Sequence, residues 1–152
     1  MIKLIAAIGL NNVIGKDNNL IWYLPDDLKR FKQLTLNSIV VMGSNTFIND
    51  LNSKPLSNRY NIVLSKTLTC AEDNNLVVYR SVQEVLQYKD FWVIGGSTIY
   101  QQFLPLVQEM YLTHIHKAID GDSYFPYVNY KEWNILNQKN YVDYSFITYR
   151  RK

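Results

Sequence analysis

Asp27 is the residue whose type and position point most directly to chemistry. It lies in the segment LPDDLKRFKQLT at residues 24–35, which has the pattern of a helix. At about 100° per residue, Asp27 falls within the same arc as Leu28, Phe31 and Leu34, so its carboxylate should face the interior. An ionised acid in such a place is costly unless it finds hydrogen-bond donors or a cationic partner. This position therefore suggests a carboxylate that is kept to bind a ligand.

The same acid has a second explanation. Pro25 suits the first position of a helix, and Asp26 and Asp27 then lie in the first turn, where acids stabilise the helix dipole. On this segment alone the dipole explanation is preferred. The solvent-facing side of the helix is expected to hold Asp26, Lys29, Arg30 and Gln33.

Two glycine junctions suggest a binding site for phosphate groups. VMGSNT at residues 41–46 and VIGGST at 93–98 each run from an apolar strand into glycine and then into small polar residues of a helix. Glycine lets a ligand approach the backbone, and the free N–H groups of a helix start favour phosphate. Each junction alone is weak evidence, since neither is a G-x-G-x-x-G or Walker sequence. Together they indicate a nucleotide cofactor.

The loop LNNVIGKDNNLIWY at residues 10–23 is long for an α/β domain, and loops of that length are commonly functional lids or disordered segments. It leads directly into the helix that bears Asp27, so it should lie beside that carboxylate and close over a ligand. Trp22 either offers an indole N–H near Asp27 or is a core tryptophan. The spacing leaves both open.

His114 and His116 alternate on one predicted strand, and Asp120 and Asp122 follow. This spacing suggests a metal, but no third ligand with a supporting shell can be placed, so half-exposed strand histidines are preferred and no metal is predicted. The sequence contains no Ser–His–Asp pattern, so a nucleophilic hydrolase is not indicated.

The elements that must position these residues form an alternating series. Strands are predicted at residues 3–8, 39–42, 60–64, 76–79 and 91–94, and helices at 25–35, 45–51, 82–88 and 98–104, with Ser81 and Glu84 as a capping box. Alternation of this kind implies a parallel sheet with helices on both faces. Further strands at 110–116, 133–139 and 145–150 have no helix between them, which predicts an antiparallel edge. No linker divides the chain, so residues 1–152 are expected to form one domain.

Composition narrows the class of protein. The net charge of +3 comes from scattered residues, with one basic run at Arg150-Arg151-Lys152, which is too little to indicate nucleic-acid binding. Cys70 is the only cysteine, so a reducing compartment is expected and no intramolecular disulfide can form. The apolar run after Lys3 ends at Leu10 without a cleavage pattern or spanning length. We therefore expect a cytoplasmic protein without membrane contact, and a monomer by default.

The ordered set of motifs closely resembles the bacterial-type dihydrofolate reductase family. Order and spacing agree from Met1 to about Trp133, with a small insertion around residues 51–54. The matching residues are LIAA at 4–7, VIG at 13–15, WYLPDDL at 22–28, FK at 31–32, MG at 42–43, Thr46, IGG at 94–96, Tyr100, LTHI at 112–115 and GD at 121–122. The resemblance reverses the preference stated above, because it makes Asp27 the single acid of a pterin pocket. It implies a mostly parallel twisted sheet of about eight strands with about four helices.

The resemblance also implies a reaction, namely NADPH-dependent reduction of 7,8-dihydrofolate to tetrahydrofolate, with inhibition by antifolates. Asp27 would accept a pair of hydrogen bonds from the pterin and favour protonation of N5, with water as the immediate proton donor. Thr113 and Trp22 would support it, and Tyr100 would help to position the nicotinamide. Arg59 would bind the glutamate tail in a planar fork that lysine cannot reproduce. The other implied substrate-binding residues are Ile5, Ala6, Leu28, Phe31, Lys32, Leu51 and Ile94.

The implied NADPH site draws on both glycine junctions and on the 10–23 loop. Ala7, Ile14 and Tyr100 would position the nicotinamide, and Asp122 would contact the closed loop. The Gly95–Gly96 peptide is cis in this family. The remaining implied cofactor residues are Gly15, Asn18, Leu20, Gly43, Ser44, Asn45, Thr46, Leu64, Ser65, Lys66, Arg80, Ile94, Gly95, Gly96, Ser97, Thr98 and Ile99.

Three positions depart from the family pattern. Ile21 replaces the usual proline before Trp22, and Ser44 and Thr98 stand where arginines often approach the cofactor phosphates. Lys66 follows Ser65 at the usual 2′-phosphate position with Arg80 expected nearby, so NADPH is still expected over NADH. Two alternatives remain: a pyrimidine reductase of riboflavin synthesis, which the acid after Leu-Pro and Arg59 argue against, and a nucleotide-binding module, which would not need Asp27.

Overall fold

A computed structural model describes residues 1–17 and 23–152. Runs rich in Ile, Val and Tyr form ten strands in these residues, because β-branched and aromatic side chains pack well on a pleated surface. The strands are β1 (Ile2–Ile8), β2 (Val13–Gly15), β3 (Ile39–Gly43), β4 (Tyr60–Leu64), β5 (Leu76–Tyr79), β6 (Phe91–Gly95), β7 (Glu109–Ile115), β8 (Ser123–Tyr124), β9 (Trp133–Asn140) and β10 (Tyr144–Arg151).

Eight of these strands form one sheet in the order β5-β4-β3-β6-β1-β7-β10-β9. Every pair from β5 to β7 is parallel, and β10 pairs antiparallel with both β7 and β9. The predicted mostly parallel sheet of eight strands with an antiparallel C-terminal edge is confirmed. A separate two-stranded sheet of β2 and β8 was not predicted.

The helices are α1 (Pro25–Thr35), α2 (Val82–Val85) and α3 (Ser97–Phe103). The bounds predicted for α1 are confirmed, whereas α2 is shorter than the predicted 82–88. The Ser81 hydroxyl accepts from the Glu84 N–H at the start of α2, as the capping box predicts. The helix predicted at residues 45–51 is present, and Thr46–Asp50 within it has π-helical hydrogen bonding. Two 3₁₀ turns, Leu104–Leu106 and Tyr130–Glu132, complete the helical elements.

Strand side chains alternate between two hydrophobic clusters, one on each face of the sheet. Leu4 and Val41 belong to the larger cluster, and their neighbours Ile5 and Val40 belong to the smaller one. The strands are thus covered on both faces, which leaves their carboxyl ends as the accessible edge where ligands bind in sheets of this kind. None of the helices in the described residues is long and apolar enough to cross a membrane.

Candidate active site

A cleft of about 1400 Å³ opens at the carboxyl ends of β1, β3, β4 and β6. It is larger than the usual range for a single small ligand, so a dinucleotide and a second molecule fit together. Its wall brings together the described residues that the sequence assigns to cofactor and substrate, except Thr113, which lies behind Asp27. These lining residues are Ile5, Ala6, Ala7, Ile14, Gly15, Asp27, Leu28, Phe31, Lys32, Gly43, Ser44, Asn45, Thr46, Leu51, Arg59, Leu64, Ser65, Lys66, Arg80, Ile94, Gly95, Gly96, Ser97, Thr98, Ile99 and Tyr100.

Asp27 enters this cleft from the first turn of α1. Pro25 begins the helix, and the Leu28 N–H donates to the Leu24 carbonyl, so the acid lies near the positive end of the helix dipole and still faces inward. The Thr113 hydroxyl donates to Asp27 Oδ1 at 2.5 Å. Burial raises the pKa of Asp27, while the Thr113 hydrogen bond and the charge of Arg30 oppose that rise. Asp27 therefore lies in the first turn of the helix and also faces inward, as the sequence predicts.

Arg30 lies beside Asp27, and its predicted place on the solvent side of α1 is wrong. Its guanidinium carbon lies 4.4 Å from the centre of the Phe146 ring, on strand β10. Its Nη1 is buried and has no hydrogen-bond partner among the described residues. At 100° per residue, Arg30 lies only about 60° around the helix from Asp27, so the periodicity allows it on the inward face. It was assigned to the solvent side because its side chain is charged. A positive charge thus lies behind the cleft acid.

Tyr100 closes the middle of the cleft between β1 and β6. Its hydroxyl donates to the carbonyls of Ile5 at 2.8 Å and Ile94 at 3.0 Å, so the ring is held by two neighbouring strands. Burial raises the pKa of Tyr100, and the negative charges of Asp27 and Asp50 raise it further. Two cleft carboxylates therefore act on this hydroxyl.

Both glycine junctions bring backbone to the wall of the cleft. The Gly95–Gly96 peptide is cis, as the resemblance implies, and Gly95 has φ 126°, which favours glycine. A Cβ on Gly96 would have only Thr46 Oγ1 nearby, at 3.6 Å, whereas one on Gly43 would press on the Ile99 side chain at 2.9 Å. The junctions therefore form a smooth surface on which a flat group can lie against the backbone.

Arg59 reaches the cleft from the start of β4. It is 7% exposed, its Nε donates to the Ser57 carbonyl and its Nη1 donates to Thr35 Oγ1. Burial lowers the pKa of its guanidinium. Within residues 1–17 and 23–152 it forms no ion pair with a carboxylate. A carboxylate ligand would complete its interactions.

Lys66 and Arg80 lie together at another part of the wall, as the sequence predicts. The Arg80 Nη1 donates to the carbonyls of Ser65 at 2.9 Å and Leu68 at 2.7 Å, which fixes the guanidinium beside Lys66. Both side chains are exposed, and neither forms an ion pair with another described residue. These two cations suit a phosphate group.

The start of the 10–23 loop is fixed to the loop that carries Asp122. The Asp17 N–H donates to both oxygens of Asp122 at 3.2 and 3.1 Å, and the Lys16 ammonium pairs with Asp120 at 3.2 Å. The predicted contact between Asp122 and this loop is confirmed. Asn18, Leu20, Ile21 and Trp22, to which the sequence also assigns roles, lie outside the described residues.

Asp50 is the chemically most notable lining residue that the sequence analysis missed. Burial raises its pKa to about 6, against a hydrogen bond from Thr46 that lowers it. The signal was present, because residues four apart share a helix face and Thr46 was already assigned to the cofactor. Other lining residues missed are Leu24, Leu56, Thr67, Ser81, Val82, Gln102 and Ser123.

The two histidines lie away from the cleft and have local partners. His114 Nε2 is 2.9 Å from the Tyr149 hydroxyl, and His116 Nε2 is 2.9 Å from Ser145 Oγ. In the part of the chain that the structure describes, no group of three or more His, Cys, Asp or Glu residues could hold a metal ion. These contacts are consistent with structural strand histidines.

Comparison with known proteins gives one consistent result. The family profile described as Dihydrofolate reductase matches residues 1–151. The chain is 38% identical to a dihydrofolate reductase of Haemophilus influenzae, covering 99% of this chain and 98% of that protein, and 35% identical to one of Bacillus subtilis, covering 100% and 95%. A solved structure of the Enterococcus faecalis dihydrofolate reductase, complexed with NADP(H) and RAB-propyl, superposes with a TM-score of 0.88 at 33% identity, covering 100% of this chain and 96% of that one.

Proposed function

This chain belongs to the dihydrofolate reductase family, and from that premise we propose how its cleft reduces 7,8-dihydrofolate to 5,6,7,8-tetrahydrofolate with NADPH. The observation that carries the proposal is the Asp27 carboxylate, which lies in the cleft and, among residues 1–17 and 23–152, accepts a side-chain hydrogen bond only from a neutral hydroxyl, that of Thr113. A nucleotide-binding module would have no use for an acid kept in this state. A pyrimidine reductase is disfavoured because the family profile and both relatives are dihydrofolate reductases.

The residues present fit NADPH. The Gly95–Gly96 surface and the start of α3 offer backbone to a flat ring and a phosphate, and Lys66 with Arg80 offers two cations to a further phosphate. Residues that would hold the nicotinamide include Ala7, Ile14 and Tyr100. When bound, the reduced nicotinamide supplies a hydride to C6 of the dihydropterin, and N5 takes up one proton, so the substrate gains two hydrogens.

Asp27 supplies the polar contact of the substrate half of the cleft. Its ionised carboxylate accepts two hydrogen bonds from the 2-amino group and a ring N–H of the pterin, which fixes the ring and favours the protonated form of N5. Thr113 holds Oδ1 in place for this contact. Water is the immediate proton donor, since Asp27 is committed to the other edge of the ring. Trp22 is proposed to hydrogen-bond in the same network.

Arg59 and the apolar wall supply the remaining binding. The free edge of the Arg59 guanidinium pairs with a carboxylate of the glutamate tail. Leu28, Phe31 and Leu51 enclose the rings, so that the two reacting rings are held in contact and water is excluded. Positioning of this kind is the main contribution that the fold makes to the rate.

The test is direct. Purified protein is mixed with NADPH and dihydrofolate, and the loss of reduced-nicotinamide absorbance is followed, with omission of dihydrofolate as the control. Stoichiometric formation of tetrahydrofolate is expected. Tight binding of NADPH without any turnover would instead favour a binding module.

We further propose that the protein acts in the cytoplasm, which suits its free, half-buried Cys70.

A further inference from the structure

Asp50 ends the π-helical turn Thr46–Asp50, immediately before the insertion that the resemblance predicts around residues 51–54. The Leu51 N–H donates to the Thr46 carbonyl at 3.1 Å, five residues back, and Phe47 anchors the turn at 2% exposure. Asn52 and Ser53 follow with φ of 52° and 58°, so the chain turns within the predicted insertion. π-Turns are rare and frequently occur at functional sites. This one places an acid in the cleft wall.

The surroundings of Asp50 do not compensate its charge. The carboxylate is half-buried, and burial raises its pKa to about 6, while the Thr46 hydroxyl stabilises the ionised form by a hydrogen bond. Across residues 1–17 and 23–152, no lysine or arginine forms an ion pair with it. An acid in this state is expected to interact strongly with any positive charge that enters the cleft.

Two observations locate Asp50 at the junction between the cofactor and substrate halves of the cleft. Asp50 lines the cleft at the end of the turn that Thr46 begins, and Thr46 is the side chain nearest to the exposed face of Gly96. The charge of Asp50 also acts, together with that of Asp27, on the Tyr100 hydroxyl, which is bound to the carbonyls at the ends of β1 and β6. The proposed function places the nicotinamide ring beside these residues.

We propose that Asp50 is a specificity-determining residue for the redox state of the cofactor: its carboxylate favours the positively charged oxidised nicotinamide over the neutral reduced one. The inference rests on the proposed function, because only a bound nicotinamide brings that charge change to this place. Loss of a hydride, with its two electrons, turns the neutral ring into a cation. An anion nearby therefore tightens binding of NADP⁺ relative to NADPH and stabilises the charge that develops as the hydride leaves.

The preference depends on ionisation of Asp50. The Thr46 hydroxyl favours the ionised form of Asp50, and the Tyr100 hydroxyl on α3 is the titratable group on which the charges of Asp50 and of Asp27 from α1 both act. Above about pH 6 the carboxylate is ionised and attracts the oxidised ring. At pH 5 it is largely protonated, so the preference should largely disappear.

The experiment measures dissociation constants for NADP⁺ and NADPH by fluorescence titration without folate, at pH 8 and pH 5. Asp50→Asn should weaken NADP⁺ relative to NADPH by roughly threefold to tenfold at pH 8, and by much less at pH 5. Asp143→Asn removes an exposed acid outside the cleft and should leave the ratio unchanged. Asp50→Glu, which retains the charge, should keep most of the preference.

Equal weakening of both nucleotides by Asp50→Asn, or a ratio unaffected by it, would overturn the inference while leaving the proposed reductase activity standing. If Asp50→Asn does not fold, the ratio of the two dissociation constants is compared between pH 8 and pH 5 in the wild type and in Asp50→Glu. A ratio that does not change with pH counts against the inference. Failure of the wild type to bind either nucleotide or to reduce dihydrofolate would remove the proposed function itself. These results are distinguishable because the same titrations report binding and ratio.

Discussion

Glu109 on strand β7 and Asp27 on helix α1 are two acids that lie near opposite ends of β7, and their surroundings differ. Glu109 begins the strand, is 5% exposed, and accepts two hydrogen bonds from Arg150 at 3.0 and 2.6 Å. Asp27 meets the other end of the strand through Thr113, a neutral donor, and opens into the cleft. Two arginine N–H groups that donate to the same carboxylate oxygen compensate this buried acid within the protein itself. The acid at the cleft has no such pairing and remains able to bind a ligand.

The same contrast holds for the cations. Arg150 is engaged with Glu109, whereas Arg59, Lys66 and Arg80 line the cleft and form no ion pair with another described residue. The framework charges Glu109 and Arg150 are therefore paired, whereas these three cleft cations are available to a ligand. The comparison predicts that substitutions in the two regions have opposite consequences: loss of folding stability in the framework and loss of activity in the cleft.

The largest expected effect is on turnover by Asp27→Asn. Removing the carboxylate should lower kcat near neutral pH by at least about 100-fold, because the pterin loses its charged acceptor. NADPH binding should change little. Stability at pH 7 should not fall, since a raised pKa means that the folded state disfavours the ionised acid, and its contribution is lost as pH rises through that pKa.

The matched control is Asp26→Asn on the same helical turn. Asp26 is exposed and accepts a hydrogen bond from the Tyr144 hydroxyl, so its loss should leave turnover near the wild-type value. Steady-state kinetics and thermal unfolding of both variants give the comparison. Near-wild-type turnover in Asp27→Asn would refute its assigned role.

The second prediction concerns Glu109 at the start of β7, where a substitution should lower stability and leave activity unchanged. Glu109→Gln should lower the free energy of unfolding by about 2 kcal/mol, because Arg150 loses its ionic partner but can still turn to solvent. Activity per folded molecule should be unchanged. Denaturant unfolding measures the loss, with Glu132→Gln, an exposed acid, as the control. A large loss of kcat without loss of stability would break the contrast between the two ends of β7.

Much of this contrast could be predicted from the sequence. Strand β4 and helix α1 have the predicted bounds, because a β-branched run and a proline start are strong local signals. The inward direction of Asp27 followed from helical periodicity, and its role came from the resemblance. Strands β2 and β8 were missed because three and two residues carry no usable period.

The errors near the cleft have a physical cause as well. Asp50 was not recognised, although it follows the assigned Thr46 by four residues and therefore lies near the same face of the predicted helix. Arg30 was assigned to solvent by its charge, although Phe146 on β10 covers its guanidinium. Such packing across more than one hundred residues is a tertiary property that local patterns do not contain.

A third prediction concerns the available cations. Lys66→Ala should weaken NADPH by about tenfold while changing NADH much less, because only NADPH carries the additional phosphate. The ratio of kcat/KM for the two cofactors measures this, and Lys131→Ala, an exposed cation outside the cleft, is the control. Equal losses for NADPH and NADH would show that the phosphate is bound elsewhere.

The smallest expected effect tests whether the cleft acid is wholly without a cationic neighbour. Arg30 lowers the pKa of Asp27 by its charge, against the larger effect of burial. Arg30→Gln should therefore raise that pKa further, so that a smaller fraction of Asp27 is ionised at a given acidic pH. Carboxyl ¹³C NMR titration, with the resonance assigned from Asp27→Asn, follows the shift directly.

Lys29→Gln supplies the control for that titration, since Lys29 is the adjacent exposed cation on α1. The Asp27 midpoint should move upward in Arg30→Gln and stay in place in Lys29→Gln. An unchanged midpoint in both variants would mean that the buried Nη1 of Arg30 is held by Phe146 too far from Asp27 to act on it. Asp27 would then be set by burial and Thr113 alone, and the difference from the paired Glu109 would be even larger than the structure indicates, because no cation would offset its charge.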